Sequence, residues 1–327
     1  MTGPTLATST TARPLQFDGW ISFALDDLWG GLLDVLAVLT GIEMLGFPFM
    51  QRAYLAAICV ALIGPLVGSF LVHREMAMIG DTLAHSAFAG VAAGLFVNSL
   101  FAVTVPPLLS ALLVAAIAAL LVQTLIDYAG AYRDSSLAIV LTGSFAVGSV
   151  LLTATDGGIA VGIDAYLFGS LATVSRTNAA TLLAMTAVVA VTVAVAYRPL
   201  LYVTFDEVSA RAAGIPVAQY NRLLAVLTAV VVVGAMQIMG VILVAAMLVI
   251  PPATATSIRG FKWSIGGAVG AGLLATIAGV TLSYRYDVAA GGTIVLAAIA
   301  VYVASILAVR VRRERAHSAD GRAVSEE

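Results

Sequence analysis

The sequence predicts an all-α, polytopic membrane protein with eight or nine transmembrane helices. Hydrophobic residues make up 61% of the chain and charged residues only 10%, whereas a soluble domain carries about 25% charged residues. Mean hydropathy is +1.04. Apolar stretches near the roughly 20 residues that cross a bilayer recur between short polar breaks. The same composition excludes some classes of function. A net charge of −2 gives no electrostatic footing for nucleic acid. One cysteine, Cys59, allows neither an intramolecular disulfide framework nor a Cys-based metal cluster, and in its apolar run it reads as a small buried hydrophobe.

Residues 1–19 are Ser/Thr-rich and lack a basic region followed by an apolar core, so they read as a disordered tail and not as a cleavable signal peptide. Residues 20–48 are apolar but contain Asp26, Asp27, Asp34 and Glu43. At about 100° per residue the three Asp fall within one quadrant, which favours an amphipathic interfacial helix over a span. A transmembrane domain is expected over 49–310, with spans at 53–72, 76–96, 107–126, 136–155, 179–197, 221–236, 241–258, 264–283 and 292–309. The pair meeting near Gln237 to Gly240 shares a very tight turn, so one of the two is expected to be tilted, broken or partly inserted. Residues 311–327 read as a basic and then disordered tail.

Gly64 and Gly68, Gly90 and Gly94, and Gly266 and Gly270 stand four apart, a spacing that lets helices approach closely. Pro251 and Pro252 lie inside a span and free carbonyls of the preceding turn, which Thr254, Thr256 or a passing ion could engage; a packing kink is the simpler account. Orientation follows from the basic residues. If the loop after residue 126 is cytoplasmic, the inner side gathers Arg74, Arg133, Arg198, Arg211, Arg222, Arg259, Lys262, Arg310, Arg312, Arg313, Arg315 and Arg322. The outer side keeps Arg13, Arg52, Arg176 and Arg285. That asymmetry obeys the positive-inside rule and puts the C-terminus in the cytoplasm.

Two stretches carry candidate chemistry. Asp81 and His85 lie inside the apolar segment 76–96. Four residues apart on a helix, they share one face with roughly 6 Å of rise between them, so a carboxylate and an imidazole can converge on one cation. Ionisable groups at bilayer depth cost about 2.5–3.5 kcal/mol on insertion scales, which makes a polar pathway the default reading. A neutral pair hydrogen-bonded to neighbouring helices is the alternative. The second stretch is the inner loop 198–222. Asp206 and Glu207 suit the first turn of a short helix, and Gly214 followed by Pro216 suits its end. Such a helix is either a docking element for a soluble partner or an ordinary connection.

The motifs Phe49-Met-Gln-Arg-Ala53, Gly80-Asp-Thr-Leu-Ala-His85, Tyr166-Leu-Phe-Gly169, Phe205-Asp206 with Ala213-Gly-Ile-Pro216, and Gly240-Val-Ile-Leu-Val through Ile250-Pro-Pro-Ala-Thr-Ala255 together resemble the permease subunits of zinc/manganese ABC importers. The resemblance runs from about Phe49 to Val309. It implies location in the cytoplasmic membrane and a pair of permeases, either two copies of this chain or this chain with a relative. It further implies two cytoplasmic ATP-binding subunits and an external metal-binding protein that delivers the ion. Asp81 and His85 match the translocation path, and Asp206, Glu207, Ala213, Gly214, Ile215 and Pro216 match the region coupled to the ATPase. Two departures stand out. Ala165 occupies a position where many relatives carry histidine, and no histidine cluster follows His317.

The residues leave little room for catalysis by this chain. No His-Glu-x-x-His pattern occurs, and no Gly-x-x-x-x-Gly-Lys-Ser/Thr motif occurs, Lys262 being the only lysine. The chain therefore reads as a transporter subunit that binds no cofactor of its own, with ATP hydrolysed on a partner. A gradient-driven secondary metal transporter is the alternative, since such proteins also place a few acids at the midplane. Imidazole with carboxylate serves zinc, iron and manganese alike, and the Irving–Williams order puts zinc ahead of manganese at an unconstrained site. Zinc is thus the expected cargo and manganese the next. Asp164 could add a second oxygen, or be an ordinary loop carboxylate.

Overall fold

A computed structural model describes residues 29–40, 43–101, 104–128, 132–154, 169 and 174–323. The tail 1–19, Asp26 and Asp27, Asp164, Ala165, and Tyr166 to Phe168 of the Tyr-Leu-Phe-Gly motif lie outside the described residues. Those that are described form helices and their connections, with no strand among them. In order these are α1 (Gly31–Thr40), a 3-10 turn (Glu43–Gly46), α2 (Pro48–His73), α3 (Ile79–Phe101), α4 (Pro107–Tyr128), α5 (Arg133–Thr153) and α6 (Arg176–Phe205). There follow α7 (Glu207–Ala212), α8 (Val217–Met239), α9 (Val241–Ala255), α10 (Phe261–Tyr286) and α11 (Ala290–Ala323).

Eight of these helices are long and apolar enough to cross a membrane, and α9 is a shorter apolar helix. At 1.5 Å per residue its 15 residues extend only about 22 Å, short of the ~30 Å hydrocarbon core. The tight turn near Gln237 thus joins one full-length helix, α8, to one short helix. Gly240 makes that junction alone, at φ 80° and ψ 158°, a conformation open mainly to glycine. Gly169, at φ 74°, lies directly on the Met239–Gly240 backbone, and a Cβ there would collide with it. Other boundaries move too. The loop expected over 198–222 is mostly helix: α6 runs through Pro199 to Phe205, and α8 begins at Val217. At 30 residues, α6 is about 45 Å long, so it projects beyond the bilayer and carries α7 with it. At the other extreme, α11 continues to Ala323, through residues expected to form an irregular tail.

Helix α2 is the axis of the bundle. It packs against α9, α10, α6 and α8, and buries Ile63, Phe70 and Leu71 almost completely. Cys59 is buried on the same helix, 2% exposed, beside the Thr186 hydroxyl of α6. Helix α3 lies between α4 and α5 and also touches α8 and α9, while α10 and α11 pair and close the remaining side of α9.

The prolines explain how α2 and α9 come so close. Pro251 and Pro252 cannot donate to the carbonyls of Met247 and Leu248, four residues back, yet α9 stays helical through both. Those two carbonyls face Gly64 and Gly68 of α2: a Cβ on Gly64 would lie 3.3 Å from the Met247 oxygen, and one on Gly68 would collide with the Leu248 oxygen. Pro65 repeats the device, because the carbonyl it frees, Ala61, faces Gly272 of α10. Glycine Cα–H groups at such contacts are weak donors to oxygen. The threonines take no part in this, since Thr254 donates to the Ile250 carbonyl and Thr256 to that of Ala253. Of the glycine pairs, Gly90 and Gly94 pack on Ser110 and its neighbours in α4, but Gly266 and Gly270 face open space. On α10 the close approaches belong to Gly267, Gly272 and Gly279.

Candidate metal path and its coupling end

Helix α3 brings Asp81 and His85 together as the spacing predicts, with His85 Nε2 3.5 Å from Asp81 Oδ1. The pair is not at mid-helix. The turn after α2 closes with Glu75 N–H on the Val72 carbonyl and Met76 N–H on that of Leu71, so α3 begins at Ile79 and not at Met76. Asp81 therefore falls in the first turn and His85 in the second, about 3 Å and 9 Å along the axis. A first-turn carboxylate gains from the positive end of the helix dipole.

Neighbours fix the pair's surroundings. Thr82 donates to the Leu137 carbonyl of α5, and the Ser86 and Ser144 hydroxyls are 2.8 Å apart, so α3 and α5 are tied on both sides of His85. The His85 ring stands edge-on to Phe145, centroids 5.5 Å apart, and its Nδ1 is buried without a partner. Nε2 is thus the nitrogen that faces Asp81. Both side chains reach the surface of the chain, Asp81 45% and His85 26% exposed, beside a Phe145 that is itself exposed. Among the described residues no group of three or more His, Cys, Asp or Glu could hold a metal ion. One oxygen donor and one nitrogen donor are an incomplete shell for a transition metal.

The coupling candidates form a compact unit. Asp206 caps α7, its carboxylate accepting from the Ser209 N–H at 2.9 Å and from the Ser209 hydroxyl. These bonds hold the Asp206 carboxyl below its ordinary value. At the other end Ile215 N–H bonds the Ala210 carbonyl and Gly214 N–H that of Arg211, with Gly214 at φ 77°: a Schellman motif with glycine where the left-handed residue is needed. Ala213 is the C-cap, and Ile215 packs on the small cluster of Val203, Ala210 and Val217 that seats α7 against α6 and α8. Pro216 then caps α8.

Glu207, partly exposed, stands among three arginines. Its carboxylate lies 3.4 Å from Arg74, 3.9 Å from Arg133 and 3.8 Å from Arg211. Arg74 also donates to the Asn221 side chain at 2.7 Å and to the Val203 carbonyl at 3.1 Å, and Arg133 donates to the Arg74 carbonyl at 3.1 Å. Burial lowers the Arg74 guanidinium from its ordinary value, and Glu207 opposes the shift. Sequence reasoning counted Arg74 and Arg133 only toward membrane orientation. The signal it passed over was an arginine placed where only three residues separate two predicted spans.

Comparison with known proteins places these features in context. The profile of the ABC 3 transport family matches residues 46–309. The manganese transport system membrane protein MntC of Halalkalibacterium halodurans is 35% identical over 80% of this chain and 87% of its own length. The manganese import system permease protein ScaB of Streptococcus parasanguinis is 28% identical over 83% of this chain and 95% of its own. Among solved structures, PsaBC from Streptococcus pneumoniae in complex with Fab superposes with a TM-score of 0.71 at 29% identity, over 80% of this chain and 92% of that one.

Proposed function

This chain belongs to the ABC 3 transport family, and on that premise we propose that it is the permease of an ATP-driven importer whose cargo is a divalent transition metal ion. The observation that carries the reading is the Asp81–His85 pair, two ligand groups 3.5 Å apart on a face that opens out of the chain. The Asp81 oxygen neutralises charge and the His85 nitrogen adds a borderline donor. A second permease, most simply another copy, presents the matching pair. An external binding protein delivers the ion, and two cytoplasmic subunits hydrolyse ATP and drive alternating access through residues 206–216. The basic end carrying Arg74, Arg133 and Arg211 faces the cytoplasm, as does the C-terminus.

Manganese moves ahead of zinc as cargo. The Irving–Williams order favours zinc only when the site itself selects by affinity, and a half-shell that passes on what a carrier brings does not. MntC and ScaB are both manganese proteins by name. A gradient-driven carrier has no feature here to recommend it.

The test is uptake of radiolabelled manganese and zinc by cells carrying Asp81→Asn or His85→Ala. Uptake is expected to be abolished while the complex still assembles; near-normal uptake by both variants would overturn the role of the pair. Wild-type uptake of zinc with no manganese uptake would restore zinc as the cargo.

A further inference from the structure

We propose that Arg74, through Glu207, is the positioning residue that transmits movement of α7 to the Asp81–His85 pair; this rests on the transport reading above. Arg74 is 7% exposed, and a single nitrogen of its guanidinium, Nη2, reaches three elements: the Val203 carbonyl at the end of α6, Glu207 on α7 and Asn221 on α8. The backbone of the same residue belongs to the turn that starts α3. That turn has little slack. Arg74, Glu75 and Met76 N–H groups bond back to α2, Ile79 N–H bonds the Met76 carbonyl, and Thr82 N–H bonds that of Met78.

Helix α5 fastens both ends of this segment, with Arg133 on the Arg74 carbonyl and the Leu137 carbonyl on the Thr82 hydroxyl. A displacement of Glu207 therefore pulls on Arg74, and the rigid turn delivers it to the first turn of α3, where Asp81 stands. The turn also carries a left-handed non-glycine residue, Glu75 at φ 57°. Such conformations persist where the surrounding structure over-determines them. Glu207, partly exposed on α7 and paired with the buried Arg74, is the link between that helix and the turn.

The experiment uses the full importer complex in proteoliposomes and compares Arg74→Lys, Arg74→Gln, Glu207→Gln and the double Arg74→Gln/Glu207→Gln. Manganese uptake, ATP hydrolysis and assembly are measured together. Arg74→Gln is expected to assemble and to hydrolyse ATP at its basal rate while uptake falls about tenfold, the scale of coupling changes carried by such contacts. Arg74→Lys, which keeps the charge on a different geometry, should fall between. The double variant leaves no buried charge unpaired and should fold even if a single does not. Its uptake should stay as low as that of the worse single. Recovery of wild-type uptake by the double variant would overturn the proposal, since the pair would then be structural only. Loss of ATPase assembly in Glu207→Gln would also overturn it, by making Glu207 a docking residue. Asp81→Asn run in parallel separates the two levels: if it transports normally, the transport reading of the pair fails regardless of Arg74.

Discussion

Glu75 shows how a single residue can be held against its own preference. It occupies the position after the helix cap where α7 uses Gly214, with the same pair of back-bonds closing the turn. A left-handed conformation costs an ordinary L-residue roughly 1–2 kcal/mol. Glu75→Gly is therefore expected to stabilise the detergent-solubilised protein by about 1 kcal/mol, read as a raised thermal midpoint. An unchanged or lowered midpoint would mean that the Glu75 side chain contributes something that its exposed position does not reveal. At this scale the sequence was partly legible. Asp81 and His85 were conspicuous because charge is rare among 76–96, and their spacing fixed a shared face. Phe145, Asn221 and Glu75 were silent, because nothing in the identity of an isolated residue tells which distant helix it will meet.

Helix ends proved harder to read than helix interiors. Hydropathy sees where apolar residues stop, so it ended one span at 197, before Arg198 and Pro199; the backbone continues to Phe205 because a projecting helix needs no lipid. The reverse holds for α9, which stops at Ala255 although apolar and hydroxyl residues continue. In contrast, α7 was legible to within a residue: the sequence puts Asp206 in its first turn and the structure makes it the cap, while Gly214 ends the helix as expected. Ala212→Pro should break α7 locally at a cost of about 3 kcal/mol, lowering transport while metal binding at Asp81 and His85 is retained; unchanged transport-coupled ATP hydrolysis would reduce α7 to a connector. The Asp206 cap adds a sign. Because its folded value is depressed by the Ser209 bonds, its contribution is present at neutral pH, above the unfolded value, and is lost only as pH falls through the lowered folded value. Asp206→Asn should keep the helix and remove that acid sensitivity.

Across the whole molecule, contacts between segments far apart in sequence define two ends. Arg74, Arg133, Glu207, Arg211 and Asn221 meet at one. The other has Tyr54 bonded to Thr281 at 2.9 Å and Trp29 bonded to the Gln51 carbonyl at 2.8 Å. Arg74, Arg133 and Arg211, three of the basic residues that the charge rule assigns to one side, thus stand together at one end. Burial of Cys59 has a practical consequence here. The chain's single thiol is shielded at the heart of α2, so a membrane-impermeant maleimide should leave the native protein unlabelled in intact cells. Asp134→Cys at the Arg74 end and Val288→Cys at the opposite end each add one accessible thiol to that silent background. Labelling of position 288 from outside, with position 134 reacting only after the membrane is opened, is the expected pattern; the reverse would turn the protein over in its membrane without altering a single contact within it.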